Sequence, residues 1–436
     1  MQFASIMPGL ASGRYAQLSS ATQVLMNSFR RMFFRPFVFV TASALAASLA
    51  TAATHKSVAP KKKSTGAHVV TKARVAAKSV SAVTVSAVTR AALTGSSALT
   101  IKSKNARASH GGGQTWDAPT YKDSTVGDNV DGEDLTVRQA AVEALGPMNG
   151  SVVVVDPTTG RILTMVNQEL GLGGGFQPCS TVKVSVSLAA LREGLVERTS
   201  PAKFYSRRSL DLTDALAYSN NFYFATLGIK LGYERMNYYA HLFGYGEKAG
   251  LNIPGEHAGY FPPAPPKNGG MGMLTSFGEE IEQTPLELAG LMTAIANGGT
   301  LYWLQYPRTE EETRNFTPQV KRHLDIAPYI DEIKPGMRGA VEFGTAVRAK
   351  QDDVILGKTG TCSEGRTHLG WFGSFRDNGS RKLVVVVMLT GGKPSIGPMA
   401  SGVAGDVYRR LAANNYFKVS APLTPASILT PVWPKR

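Results

Sequence analysis

Three short motifs follow one another in this chain: Ser180-Thr181-Val182-Lys183, Ser219-Asn220-Asn221 and Lys358-Thr359-Gly360-Thr361. Together they hold the groups that serine acyl transfer requires. A serine hydroxyl is a poor nucleophile until a base takes its proton. Lys183 stands three residues after Ser180, which on a helix places it on the same face one turn away. A lysine acts as base only when neutral, and burial or a second cation lowers its pKa toward that state. Lys358 is a candidate for the second cation. A helix start at Ser180 would also favour negative charge developing there.

Ser219 can relay a proton, and the amide of Asn221 can hold a substrate amide. In a loop or extended turn, positions i and i+2 face the same way, so both would reach one cleft. Lys358, Thr359 and Thr361 offer a cation and two hydroxyls to a carboxylate. They follow the apolar Val354-Ile355-Leu356, which reads as an edge strand open to an extended peptide. Gly360 would let that peptide approach closely. Taken alone, each motif is ordinary: S-x-x-K occurs on surface helices, and S-x-N in polar breaks between them. Gly357-Lys358-Thr359 is not a phosphate loop, because that motif requires glycine where Asp352 stands.

The elements that must position these groups can be read from composition and periodicity. The 436 residues are 43% hydrophobic, enough for one large or two ordinary domains. The net charge of +15 is uneven: residues 1–140 carry 17 Lys/Arg against 6 Asp/Glu, and the remainder 30 against 26. A basic segment suits nucleic acid, an anionic membrane or acidic polymers. Here it follows an export-like stretch, which favours envelope partners and not nucleic acid. Arg30, Arg31 and Arg35 precede an apolar run over 37–50, and Ala50-Thr51-Ala52 resembles a cleavage site. The run is shorter than the roughly 20 residues of a membrane helix. Residues 1–54 are therefore expected to be an export signal or, with Phe33 and Phe34 included, a membrane anchor. Residues 55–138 read as a basic disordered linker, with no Phe, Trp or Tyr over 55–114.

Order is expected from residue 139 to residue 415, with 416–436 as a tail. A short helix spans 139–145. Strands at 151–155 and 161–166 flank the turn Asp156-Pro157-Thr158-Thr159-Gly160, a hairpin pattern. Apolar residues at 184, 188, 191 and 195 predict a helix over 180–195 with one buried face. Further helices are expected over 210–231, over 285–297, ended by Gly298-Gly299, and over 404–412. Strands are expected over 354–361, 369–375 and 383–389. An antiparallel sheet from both ends of the domain, flanked by helices and holding an all-helical insertion, is an α+β layout.

With these residues in view, the stretch over 150–411 resembles the transpeptidase domain of the penicillin-binding proteins, in the penicilloyl-serine transferase group that also includes the serine β-lactamases. The likeness extends beyond the three motifs. Gln177-Pro178-Cys179-Ser180-Thr181-Val182-Lys183 resembles the family's P-x-S-T-x-K. Phe243-Gly244-Tyr245-Gly246, Ile253-Pro254-Gly255-Glu256 and Ser276-Phe277-Gly278 follow in the family's order. So do Gln283-Thr284-Pro285-Leu286, Ala296-Asn297-Gly298-Gly299, Val341-Glu342-Phe343-Gly344-Thr345-Ala346 and Trp371-Phe372-Gly373. The resemblance implies a β-lactamase/transpeptidase-like fold. It implies Ser180 as the acylated nucleophile, Lys183 as its base, and Ser219 with Lys358 passing protons to the leaving group. Asn221 would bind the substrate backbone, and Thr359, Gly360 and Thr361 the terminal carboxylate end. The backbone N–H groups of Ser180 and Thr361 would form the oxyanion hole.

The implied function is a peptidoglycan D,D-transpeptidase or D,D-carboxypeptidase acting on D-Ala-D-Ala stem peptides and acylated by β-lactam antibiotics. It would need no cofactor and no metal. It would work in the bacterial periplasm or cell envelope, at the outer face of the cytoplasmic membrane if anchored, beside other cell-wall synthesis proteins. One alternative is a serine β-lactamase, although no clear Glu-x-x-x-Asn deacylation element is found. Another is a non-catalytic penicillin-binding sensor or scaffold. The span from Lys183 to Ser219 is shorter than the family's, so the hairpin usual there is expected to be missing. Glu279 stands where glutamine is common. His257 and His368 read as packing or hydrogen-bonding residues.

Cys179 precedes the nucleophile and Cys362 follows the third motif; they are the only cysteines. If Ser180 and Thr361 converge as the resemblance implies, their neighbours converge too. In an exported protein that favours a Cys179–Cys362 disulfide. Cysteines at the same motif-relative positions are bridged in the carbapenem-hydrolysing class A β-lactamases. The alternative is two small buried thiols.

Overall fold

Val152, Val153, Val154 and Val155 set the architecture. Four consecutive β-branched residues favour a strand, and all four are fully buried. The structure, a computed structural model, describes residues 117–203, 209–393 and 396–418. The expected export signal or anchor, most of the expected linker and the chain beyond 418 lie outside the described residues.

The elements in chain order are α1 (Leu135–Leu145), β1 (Gly150–Asp156), β2 (Arg161–Val166), α2 (Gln168–Leu172) and α3 (Val182–Arg192). The two-residue strands β3 (Ala202–Lys203) and β4 (Ser209–Leu210) follow, then α4 (Leu212–Ala217), α5 (Asn221–Leu231), α6 (Tyr233–Leu242), α7 (Gly270–Phe277) and α8 (Pro285–Asn297). Next come β5 (Thr300–Trp303), α9 (Glu310–Arg314), β6 (Gln319–His323) and α10 (Ala327–Glu342). The chain returns through β7 (Ile355–Glu364), β8 (Thr367–Arg376), β9 (Leu383–Gly391) and α11 (Ile396–Ala413).

The main sheet runs β2-β1-β9-β8-β7 and is antiparallel throughout. The two ends of the domain join where β1 pairs with β9, Val153 opposite Val386. This is the expected α+β architecture. Val152 and Val154 pack in a core layer with Val137 of α1 and Val407 of α11. Val153 and Val155 pack in the opposite layer with Leu188 of α3 and Leu288 of α8. Because helices cover both faces, β1 and β9 are apolar runs and not alternating patterns. Helix α8 has the bounds its sequence specifies. Thr284 and Glu287 form a capping box, Pro285 opens the first turn, and Gly298 ends the helix at φ 93°.

Four expectations need correction. Helix α3 has no single buried face: every residue from Val182 to Leu191 is buried, because α5, α6, α7 and α10 all pack against it. The helix expected over 210–231 is two helices, broken where Ser219 takes φ 55° and Asn220 caps α5 through Tyr223 N at 2.8 Å. A short hairpin does occupy the span between Lys183 and Ser219, pairing Ala202 with Leu210 and Lys203 with Ser209.

The fourth correction concerns the end of the expected linker, because residues 117–134 pack on the domain. Glu133 accepts hydrogen bonds from Thr164 Oγ1 at 2.7 Å and Met165 N at 3.0 Å, and one from the Tyr306 hydroxyl. Arg138 pairs with Asp128 at 2.6 Å and Glu133 at 3.4 Å. These contacts are polar, so no apolar periodicity announces them.

Among the described residues, no helix is long and apolar enough to cross a membrane. Removing Glu133 would leave the Tyr306 hydroxyl, Thr164 Oγ1 and Met165 N without this acceptor in a buried site, and Arg138 with only its Asp128 ion pair. Glu133→Ala should therefore lower stability by about 3 kcal/mol, near the lower end for a broken buried ion pair. Tyr306→Phe should cost about 1 kcal/mol. Urea denaturation of both variants checks the order.

Candidate active site

The amine of Lys183 is the meeting point of the first two motifs. It lies on α3, as the second residue of the helix, and is fully buried. Its Nζ is 2.9 Å from Ser180 Oγ, 3.0 Å from Ser219 Oγ, 2.9 Å from the Ser219 carbonyl and 2.5 Å from Asn221 Oδ1. The left-handed backbone of Ser219, φ 55°, lets one residue present both its carbonyl and its hydroxyl. Ser219 and Asn221 thus converge as expected, but through a left-handed turn and a helix start instead of extended alternation.

Two of these four partners are obligate acceptors: the Ser219 carbonyl and Asn221 Oδ1. A neutral amine has two N–H donors and one lone pair. The two acceptors use both donors, and the lone pair is left for a serine hydroxyl. Burial and the positive charge of Lys358 both hold the Lys183 amine well below the ordinary lysine range. The Phe224 ring lies 5.6 Å from the same nitrogen. Neither Lys183 nor Lys358 pairs with a carboxylate among the described residues.

Ser180 sits in a short turn, Cys179–Thr181, that leads into α3. Cys179 takes φ 53°, a strained value for a residue with a side chain. The segment is held from both sides. Trp371 Nε1 donates to the Gln177 carbonyl at 3.0 Å, and Gln177 Nε2 donates to Glu279 Oε2 at 3.1 Å. Glu279, the departure noted in the sequence, thus receives the amide of Gln177.

β7 is the edge of the main sheet, as expected. Strand periodicity puts Lys358, Gly360 and Cys362 on one face and Thr359 with Thr361 on the other. The first face meets the turn that carries Ser180. Cys362 forms a disulfide with Cys179, with Cα atoms 5.6 Å apart. A Cβ on Gly360 would stand 2.8 Å from the Pro178 carbonyl oxygen. Gly360 therefore admits the turn carrying Ser180, a closer constraint than the expected approach of a peptide.

Lys358 is fully buried, and burial pushes its pKa down to about 7. Its Nζ donates to the Thr359 carbonyl at 3.0 Å, whereas Ser219 is hydrogen-bonded to Lys183. Thr361 is exposed. Thr359 Oγ1 donates to Thr345 Oγ1 at 2.7 Å. Thr345 received no role from the sequence, although it lies in the quoted Phe343-Gly344-Thr345-Ala346 stretch. His257 Nδ1 accepts from Gly259 N at 3.0 Å, and His368 Nδ1 lies 2.6 Å from Ser363 Oγ. Neither histidine is among the partners of Lys183. Among the described residues, no three His, Cys, Asp or Glu side chains cluster in a way that could hold a metal ion.

The family model described as "Penicillin binding protein transpeptidase domain" matches residues 150–413. The chain belongs to this family. Stage V sporulation protein D of Bacillus subtilis is 25% identical over 310 residues, which span 61% of this chain and 48% of that protein. The chain thus spans about half the length of that relative. Peptidoglycan D,D-transpeptidase PbpA of Mycobacterium tuberculosis is 23% identical over 346 residues, 63% of this chain and 69% of that protein. Among solved structures, Pseudomonas aeruginosa PBP2 shares the fold with a TM-score of 0.56 at 24% identity, over 67% of this chain and 80% of that one. The D,D-transpeptidase domain of a peptidoglycan glycosyltransferase from Eggerthella lenta gives 0.52 at 21% identity, over 65% and 82%.

The buried lysine sets a pH dependence for the transpeptidase domain. The unfolded chain keeps the Lys358 proton up to the ordinary value near 10.4, and the folded chain releases it at about 7. Between these values the unfolded state binds more protons, so stability rises with pH. Lys358→Met should raise the melting temperature near neutral pH. That gain should shrink as pH climbs toward the ordinary lysine range. Thermal scans across pH check both the sign and the trend. Reducing the disulfide should lower stability by about 2–4 kcal/mol, read as a shift of the denaturation midpoint with dithiothreitol.

Proposed function

We propose that this protein is a peptidoglycan D,D-transpeptidase or D,D-carboxypeptidase that works through an acyl-enzyme on Ser180. One observation carries the proposal. The amine of the buried Lys183, with no carboxylate partner among the described residues, lies 2.9 Å from Ser180 Oγ, with two other acceptors to engage its N–H groups. That is the arrangement of a general base beside its nucleophile. Family membership and relatives named as D,D-transpeptidases support the same reading.

Ser180 Oγ attacks the carbonyl carbon of the D-Ala-D-Ala bond as its proton moves to Lys183 Nζ. The backbone N–H groups of Ser180 and Thr361 receive the developing oxyanion; losing one such donor typically costs about 10²–10³ in rate. The proton passes from Lys183 to Ser219, 3.0 Å away, and on to the nitrogen of the departing D-alanine. The C–N bond breaks and an ester on Ser180 remains. An amine or water then takes the acyl group by the reverse proton path. Asn221 engages Lys183 through Oδ1, which leaves its amide nitrogen to meet a substrate carbonyl. Thr359 and Thr361, on the opposite face of β7 from Lys358, hold the terminal carboxylate. β-Lactams acylate the same serine. The protein works in the cell envelope beside other cell-wall synthesis proteins.

A fluorescent penicillin tests this reading on the full chain. Wild type should acquire a label that persists for hours, and Ser180→Ala should acquire none. The labelling rate should rise with pH as Lys183 loses its proton. Loss of label within seconds, with turnover, would identify a β-lactamase instead. An unlabelled wild type would sink the assignment.

A further inference from the structure

The second and third motifs are linked through residues that neither contains. Thr345 N donates to the Ala217 carbonyl at 3.2 Å, two residues before Ser219. The Thr345 hydroxyl oxygen accepts from Thr359 Oγ1 at 2.7 Å. Gly344 permits this approach, since a Cβ there would stand 2.2 Å from the Ala217 carbonyl oxygen. The Phe343 ring packs 5.6 Å from that of Tyr218, the neighbour of Ser219. Ala346 N donates to Ala340 O at 2.7 Å and fixes the turn to the end of α10. The turn over 343–345 thus holds the approach to Ser219 on one side and the Thr359 hydroxyl on the other.

We propose that Thr345 is a positioning residue: it sets the Thr359 hydroxyl for the substrate's terminal carboxylate and keeps it in register with Ser219. The inference rests on the acyl-transfer reading above and adds a specificity element to it. A hydroxyl that binds a carboxylate must donate its proton to it. Without substrate, the Thr359 proton rests on Thr345. When a carboxylate arrives, that proton turns to the anion and the Thr345 hydroxyl donates to Thr359 in its place. Two hydroxyls in series polarise one another, so the donor facing the carboxylate is strengthened. A valine at position 345 keeps the shape and the backbone N–H but leaves Thr359 without its partner.

The test compares acylation of the full chain by a penicillin and by its methyl ester, which lacks the anionic carboxylate. Thr345→Val should slow acylation by the free acid by up to about tenfold, the upper end for the loss of one hydrogen bond between neutral groups. It should change the rate with the methyl ester by less than about twofold, and Thr345→Ser should restore the free-acid rate. Thr345→Val added to Thr359→Val should cost little beyond Thr359→Val alone, since the two act as one unit. Melting temperatures establish that each variant folds; if Thr345→Val does not, Thr345→Ala serves the same comparison. Equal losses with acid and ester, or no loss with either, overturn the inference while wild-type labelling leaves the Ser180 reading standing. A wild type that no penicillin acylates overturns both.

Discussion

An uncompensated buried lysine is the constraint on which the rest of this structure depends. Lys183 lies in the first turn of a helix whose residues from Val182 to Leu191 are all buried, and among the described residues its amine meets oxygens and no carboxylate. Burying a charged ammonium is costly, which biases the group toward its neutral form. Lys358 repeats the situation on the adjacent strand, and its charge pushes Lys183 further in the same direction. Two such groups destabilise the fold. Proteins retain features of this kind where the surrounding structure over-determines them and the site requires them.

The surroundings here do over-determine them. The main sheet is covered on both faces, and α3 is packed by helices on all sides. The turn before Ser180 is tied to the sheet by the disulfide, by Trp371 and by the close approach at Gly360. The turn before Ser219 is tied to Thr345, which reaches the same edge strand. Each motif is therefore held by a different element, and β7 is common to both ties. That arrangement lets three segments far apart in sequence keep hydrogen-bond geometry, which loops alone would not.

Much of the fold was legible where local chemistry and tertiary demand agree. The run of valines in β1, the Asp156-Pro157 turn and the capping box of α8 specify their elements locally. The sequence missed α10, because Pro335, Gly336 and Gly339 interrupt its helical signal. It merged α4 with α5, because nothing in Ala217-Tyr218-Ser219-Asn220 requires a left-handed residue at a serine. It placed residues 117–134 in a linker, because Glu133, Asp128 and Arg138 are bound by buried ion pairs that carry no periodic pattern.

The sequence by itself determined the chemistry available: a serine and lysine one helical turn apart, a second serine with an asparagine, and a lysine followed by hydroxyls. Their identities and order carried that much, as did the family likeness, and the spacing of the two cysteines admitted the bridge. Only the tertiary structure decided how these groups are poised. It fixed which oxygens meet the Lys183 amine, sent the Lys358 hydrogen bond to a carbonyl, and gave Thr345 its place beside Thr359. The reason is physical. A side chain's protonation state and its hydrogen-bond partners depend on burial and on groups distant in sequence, and no local pattern encodes either.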